Sequence, residues 1–229
     1  MSKGIFIIGT DTDVGKTLIT ASLAWKLSKD IKKVCIMKPF ATGNRPYSKS
    51  YRSEDVANLY QSIDIDELDE NINPYYYPLP CSPYMAAELL QLEQVDLNHA
   101  LKKYEYLKEK YGFVLLEGIG GLLVPLNSNS TLLDFIKMVS LEVIVVSTPN
   151  IGTLNHTMLT VNECRSKGIL IKGIIVNKMP NQPSQIELNT PSYIEKLTQV
   201  PLIGVVPCLE RFQYTEETFE KVSSFIKFK

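Results

Sequence analysis

Residues 9–17 constrain this chain most. They read Gly-Thr-Asp-Thr-Asp-Val-Gly-Lys-Thr, directly after the apolar run 4–8 and directly before a helical pattern over 17–29. A strand, a glycine-bounded loop ending in Gly15-Lys16-Thr17 and a helix make up the phosphate-binding unit of P-loop proteins. Glycines let the backbone turn tightly and aim its N–H groups at phosphate oxygens. The helix N-terminus adds partial positive charge. Lys16 can reach the terminal phosphates, and Thr17 can offer its hydroxyl to Mg²⁺. Five residues separate the glycines, where the common pattern has four, and the extra one is at Thr10. The competing reading is a turn capped by Thr17 with Lys16 in water. The position between a buried strand and a helix favours nucleotide binding, by Asp13, Val14, Gly15, Lys16, Thr17 and Leu18.

The remaining apolar runs, at 34–37, 113–116, 143–146, 169–176 and 202–206, are continuous and rich in β-branched residues. Continuous rather than alternating runs mark strands buried on both faces. Helical patterns fill the gaps at 53–61, 86–92, 98–111, 132–139, 155–167, 191–199 and 216–227. This alternation predicts an α/β fold with a doubly wound, mostly parallel sheet flanked by helices, of the P-loop nucleoside triphosphate hydrolase type. No linker splits the chain, so one domain is expected over 1–229. The least regular stretches are 41–52 and 71–83; ligands in such sheets sit outside the strands' C-terminal ends, so irregular segments that follow strands are candidate site loops.

Composition narrows the partners. Lys and Arg total 24 against 25 Asp and Glu, a net charge of -1, which argues against nucleic acid or a membrane surface. Apolar stretches of six or seven residues fall well short of the ~20 that a membrane helix needs. Met1-Ser2-Lys3 leads straight into a strand-like run, and no signal peptide is visible. The four cysteines are scattered without metal-ligand spacing, so a zinc site or disulfide framework is not expected and a reducing cytoplasm is.

Four further positions have a chemical reading beside a plain one. Glu117 ends the run 113–116 and precedes Gly118-Ile119-Gly120-Gly121. A strand-end carboxylate is the usual second metal element of P-loop enzymes, or else a solvated turn. Lys38 closes the second strand, and Pro39 restricts it to extended geometry. It is either a second cation for a transferring phosphoryl group or a solvated strand end. Asp55 stands just inside a helix start, where it also complements the helix dipole. Asn177-Lys178-Met179-Pro180 begins like a guanine-reading motif, but proline stands where the carboxylate would be. Guanine specificity is therefore unsupported. Asn177 could read an adenine edge or serve a turn.

Taken in order, these segments resemble dethiobiotin synthetase over nearly the whole chain. The loop 9–17 is similar to that family's phosphate loop, extra residue included. Lys38-Pro-Phe-Ala-Thr-Gly43 and Ser53-Glu-Asp55 resemble its lysine segment and acidic residue. Asn73-Pro74-Tyr75 and Ser82-Pro83 match its middle stretch. Glu117-Gly-Ile-Gly-Gly121 resembles its Glu-Gly-Ala-Gly-Gly, with Ile119 in place of alanine. Asn177 and Pro207 fall in its base segments.

The resemblance implies a reaction. 7,8-Diaminononanoate takes up CO₂ (from bicarbonate) as a carbamate. The carbamate attacks the γ-phosphate of ATP, and the second amine closes a ureido ring and expels phosphate. It implies Lys16 and Lys38 as charge-neutralising catalytic residues, and Mg²⁺ on Thr17, Asp55 and Glu117. Nucleotide is implied at Gly118, Ile119, Gly120, Asn177, Lys178, Pro207, Cys208 and Leu209, beside the loop. Substrate is implied at Thr12, Thr42, Asn150, Gly152, Thr153 and Asn155, the last four binding a carboxylate in a homodimer interface. Lys178 and Arg211 stand where the family often has acids, which leaves the base preference open. Arg45, Lys49 and Arg52 have no obvious counterparts. The alternative is a switch ATPase of the partitioning or septum-placement type. Those proteins usually carry a lysine early in the loop, where this chain has Thr10 and Asp11. A corrin-ring amidating enzyme would need a glutamine-hydrolysing domain, and the chain has no room for one.

Overall fold

Each long apolar run becomes a strand because burial on both sides is the only way to remove so much branched hydrocarbon from water. The computed structural model describes residues 4–31, 33–44 and 46–228, so residues 1–3, Lys32, Arg45 and Lys229 lie outside the described residues. The strands are β1 (Gly4–Gly9), β2 (Val34–Met37), β3 (Phe40–Thr42), β4 (Tyr75–Tyr77), β5 (Phe113–Gly121), β6 (Val143–Ser147), β7 (Ile171–Met179) and β8 (Leu202–Pro207). The helices are α1 (Lys16–Asp30), α2 (Glu54–Leu59), α3 (Asp69–Ile72), α4 (Pro83–Leu90), α5 (Leu97–Tyr111), α6 (Leu132–Val139), α7 (Thr153–Ser166), α8 (Gln185–Thr198) and α9 (Glu216–Ser224).

Six strands form one sheet in the order β2-β5-β1-β6-β7-β8, and every pair is parallel. The order reverses at β1: β2 lies to one side and β6 to the other. A crevice opens where successive connections leave on opposite faces, and the phosphate loop lies there because it follows β1. Every residue of β1, β2 and β6 is buried. Helix α1 packs on α9 and α2, while α7 packs on α8 and α5 on α6.

The structure departs from the sequence reading at three places. Helix α8 begins at Gln185, not Pro191. Proline is favoured in a first turn, which invites the later start. The true start is fixed by a capping box: the Ser184 hydroxyl accepts from the Glu187 N–H (3.3 Å), and the Glu187 carboxylate accepts from the Ser184 N–H (2.7 Å). Pro191 is carried inside the helix, and its buried neighbours Thr190 and Ile194 hold the turn against the core. Helix α4 similarly starts at Pro83, capped by Ser82, ahead of the expected residue 86. Finally, the irregular stretches contain a small parallel sheet, β3 with β4, which pairs Phe40 with Tyr75 and Thr42 with Tyr77. Strands of three residues are too short for a period to show.

Candidate active site

Strand register brings the acidic and phosphate-loop segments together. Parallel pairing sets Ile7 opposite Glu117 and Gly9 opposite Gly121, so both loops leave the sheet side by side. Gly15 caps α1 with φ 88°. A Cβ there would fall 2.1 Å from Asn177 Nδ2. Only glycine meets both the conformation and the approach.

The side chains converge at one end of this crevice. Lys38 Nζ lies 2.6 Å from Asp55 Oδ2 and 2.6 Å from Glu117 Oε1. The Thr17 hydroxyl donates to Glu117 Oε1 (2.9 Å) and is 3.3 Å from Asp55 Oδ1. Lys16, also buried, donates to the carbonyls of Asp11 and Gly120, each at 3.0 Å. Helix α2 supplies Asp55, and Ser53 is its N-cap. Lys38 is fixed by its backbone: its N–H donates to the Ile72 carbonyl (2.9 Å), and its carbonyl accepts from Asn73 Nδ2 (2.8 Å). Asn73 is wholly buried and also donates to the Tyr75 carbonyl (3.2 Å).

Charge sets the protonation of this group. Burial alone would drive Lys38 towards the neutral amine. Asp55 and then Glu117 more than offset that, and they hold its ammonium above the ordinary lysine range. The Lys38 charge in turn holds the Asp55 carboxyl below the usual carboxylate range. Lys16 has no carboxylate in contact among the described residues. Burial, and then repulsion from Lys38, push its pKa down to about 8.

Thr17, Asp55 and Glu117 fit a divalent ion. Glu117 is fully buried, and its second oxygen, Oε2, has no hydrogen-bond partner among the described residues. An unpartnered buried carboxylate oxygen is costly unless a cation or donor reaches it. The donor set is a hydroxyl and two carboxylates, all oxygen, as Mg²⁺ prefers, with room for phosphate and water to complete the shell.

A cleft of about 850 Å³ runs through this point. All the sequence-predicted site residues line it except Val14, Gly118, Asn150, Gly152, Thr153 and Asn155. Val14 is a core side chain whose carbonyl accepts from Asn177 Nδ2 (2.9 Å). Gly118 is packed against Leu132 and Ile7 within the sheet. Asn150, Gly152 and Asn155 are exposed at the start of α7 and do not line the cleft. Thr153 is buried, with its hydroxyl bonded to Ser147 (2.7 Å) and its N–H to the Asn150 carbonyl (3.1 Å). Both its hydroxyl and its N–H thus already have partners.

Sequence reasoning missed Pro80, Cys81, Ser82, Val124, Phe212 and Tyr214, which also line the cleft. The first three sit in the irregular stretch after β4, so the strand-end rule could have found them. Asn177 and Lys178 serve the loop itself: the Lys178 ammonium donates to the Asp13 carbonyl. Arg52 bonds the Asp69 carboxylate (2.5 Å) and the Asn73 carbonyl, which gives one of the loop's basic residues a structural role.

Known proteins resemble this chain along nearly its whole length. A family model described as an AAA domain matches residues 3–215. An ATP-dependent dethiobiotin synthetase of Methanocaldococcus jannaschii is 38% identical over 222 residues, 95% of this chain and 99% of that protein. Those of Bacillus subtilis and Nitrosopumilus maritimus are each 36% identical, over 94% and 91% of this chain and 91% and 90% of theirs. Among solved structures, the septum site-determining protein MinD from Pyrococcus horikoshii, complexed with Mg-ADP, superposes with a TM-score of 0.54 at 20% identity (97% of this chain, 95% of that one). A ParA family ATPase from Chlorobium tepidum gives 0.54 at 16% identity, over 99% of this chain and 91% of that one. At such identities these two structures establish the fold alone. No helix among the described residues is long and apolar enough to cross a membrane.

Proposed function

The chain belongs to the ATP-dependent dethiobiotin synthetase family, and from that premise we propose that it is a ligase that carboxylates and cyclises 7,8-diaminononanoate with CO₂ and ATP, giving dethiobiotin, ADP and phosphate for biotin synthesis. The observation that carries this reading is the Lys38 ammonium held 2.6 Å from both Asp55 and Glu117, beside the Thr17 hydroxyl of the phosphate loop.

One amine adds to CO₂ and loses a proton, giving a carbamate. A carbamate oxygen attacks the γ-phosphorus as ADP leaves. The second amine then attacks the carbamoyl carbon, and phosphate departs with the bridging oxygen. Two anions must meet, so cations matter most. Lys16 neutralises the terminal phosphate, and Lys38 spans phosphate and carbamate. Mg²⁺, held by Thr17, Asp55 and Glu117, would supply further neutralisation of the phosphate oxygens. Backbone donors of 13–18, with Ile119 and Gly120, cradle the phosphates, and Gly118 packs the strand end that carries them. Asn177, Lys178, Pro207, Cys208 and Leu209 bound the base. Thr12 and Thr42 orient the diamine, and holding the reactants together contributes much of the rate.

A homodimer completes this reading. Ile151 is 94% exposed, and Leu123 and Leu159 are exposed on the same side as a second hollow that also includes Thr10, Asp11 and His156. Exposed apolar groups around a concavity suit a partner surface. Asn150, Gly152 and Asn155 lie beside this face and would offer the substrate carboxylate donors across the interface. Thr153 is left to hold the turn. One domain over 1–229 and a cytoplasmic location are part of the same proposal, the first supported by a single hydrophobic core.

Mixing the protein with Mg-ATP and bicarbonate, with and without the diamine, tests the assignment. Dethiobiotin detected by mass, with phosphate released in step only when the diamine is present, is expected. Phosphate release indifferent to the diamine would support the switch ATPase instead.

A further inference from the structure

Past β8 the chain enters a loop, 208–215, whose two aromatic side chains the reaction above does not use. Phe212 and Tyr214 both line the cleft, and their loop runs on directly from Pro207, Cys208 and Leu209, which line it too. Phe212 is 40% exposed. An exposed phenyl on the wall of a binding cleft has surface to offer a ligand. It is also held still: its ring meets Tyr214 edge-on at 5.3 Å, and Tyr214 in turn rests on Phe219 at 6.3 Å. Phe219 is fully buried in α9. A core residue, a half-buried ring and an exposed ring thus form a stepped support that ends in the cleft. Burial, with Glu117 and Asp55 nearby, pushes the Tyr214 phenol up, so it stays neutral beside the charged end.

The groups that could read a base edge here are largely engaged. The Asn177 amide donates to the Val14 carbonyl, and the Lys178 ammonium donates to the Asp13 carbonyl. Glu210 and Arg211 are exposed and do not line the cleft. What remains at this end is apolar surface and an aromatic face. We propose that Phe212 is the platform on which the nucleobase stacks, and that Tyr214 is a positioning residue acting through it. The inference rests on the nucleotide-dependent reading above and deepens it. A ring face accepts any base, because every base has a π-face. Recognition at this end is therefore by stacking, with ATP, GTP and CTP bound within about tenfold of one another.

The test is direct binding to the full chain, measured with ATP, GTP, CTP and inorganic tripolyphosphate, which has no base. Phe212→Ala is expected to weaken all three nucleotides by a similar factor, roughly ten- to a hundredfold, and to leave tripolyphosphate unchanged. Turnover at saturating ATP should hold, so the loss is in KM and not in kcat. Phe212→Tyr should restore binding, and Tyr214→Leu should show a milder loss of the same kind. Unchanged ATP affinity in Phe212→Ala would overturn the proposal. So would equal weakening of tripolyphosphate, which means a distorted loop, or loss of ATP alone, which means edge reading. A wild-type protein that binds neither ATP nor tripolyphosphate would instead overturn the nucleotide-dependent reading on which this one stands.

Discussion

The two ends of the cleft are built on opposite principles. At the phosphate end, charged groups are buried and paired: Lys38 is bonded to Asp55 and Glu117, and Thr17 bonds the same acids. At the proposed base end the lining is Pro207, Cys208, Leu209 and Phe212, and the nearby amide and ammonium are turned onto the phosphate loop. Electrostatics in a water-poor site are strong and depend on geometry. Apolar and stacking contacts are weaker and forgiving. Substitutions at the first end should therefore cost rate, and those at the second should cost affinity.

The largest expected effect is at Lys38. Lys38→Gln, which keeps a donor towards Glu117, should lower kcat by about a thousandfold or more while far-UV circular dichroism and the melting cooperativity stay near wild type. Activity within tenfold of wild type would erase the contrast between the ends. Next comes Glu117→Gln, expected to cost about a hundredfold in kcat and to raise the Mg²⁺ concentration needed for half-maximal rate. A magnesium titration with both proteins reads this directly.

Lys16 sharpens the comparison through pH. Its ammonium in the free protein titrates at about 8, and a bound phosphate favours the charged form. Binding above that pH therefore takes up a proton, and affinity should fall about tenfold for each further unit of pH. The loss should be the same for tripolyphosphate as for ATP, since it belongs to the phosphate end. A loss confined to ATP would assign it to the base end. Smaller still is Asn73→Ala. It strips a buried donor from the Lys38 and Tyr75 carbonyls. A stability loss of ~1–3 kcal/mol by denaturant unfolding is expected, with a few-fold lower kcat and little change in nucleotide affinity.

The same division explains what was legible in the sequence. Residues 9–17 and 117–121 are contiguous motifs in which backbone geometry and chemistry occupy adjacent positions. The sheet follows from runs such as 143–146, whose burial admits one arrangement. Lys38, Asp55 and Glu117 had ordinary readings when taken one at a time. The parallel register of β1, β2 and β5 brings Lys38 and Glu117 to the same end of the sheet, and α2, packed on α1, adds Asp55. Phe212 and Tyr214 carry no local signal, because an aromatic in a loop looks the same whether it faces water or ligand. Asn73 was visible only as part of a resemblance. Its work is to bond the carbonyl of Lys38, 35 positions away, and no pattern along the chain encodes such a contact. Pro191 marks no helix start, because the capping box at Ser184 and Glu187 satisfies the first free N–H groups earlier in the chain.

The central claim is that a carbamate oxygen is delivered to the γ-phosphorus at the Lys38 end of the cleft. Turnover with ¹⁸O-labelled bicarbonate, read within the first seconds before oxygen exchanges with water, tests it. Phosphate carrying one ¹⁸O for each ring closed is the predicted result. Phosphate whose new oxygen comes from unlabelled water would contradict the account, because it would make the protein a hydrolase.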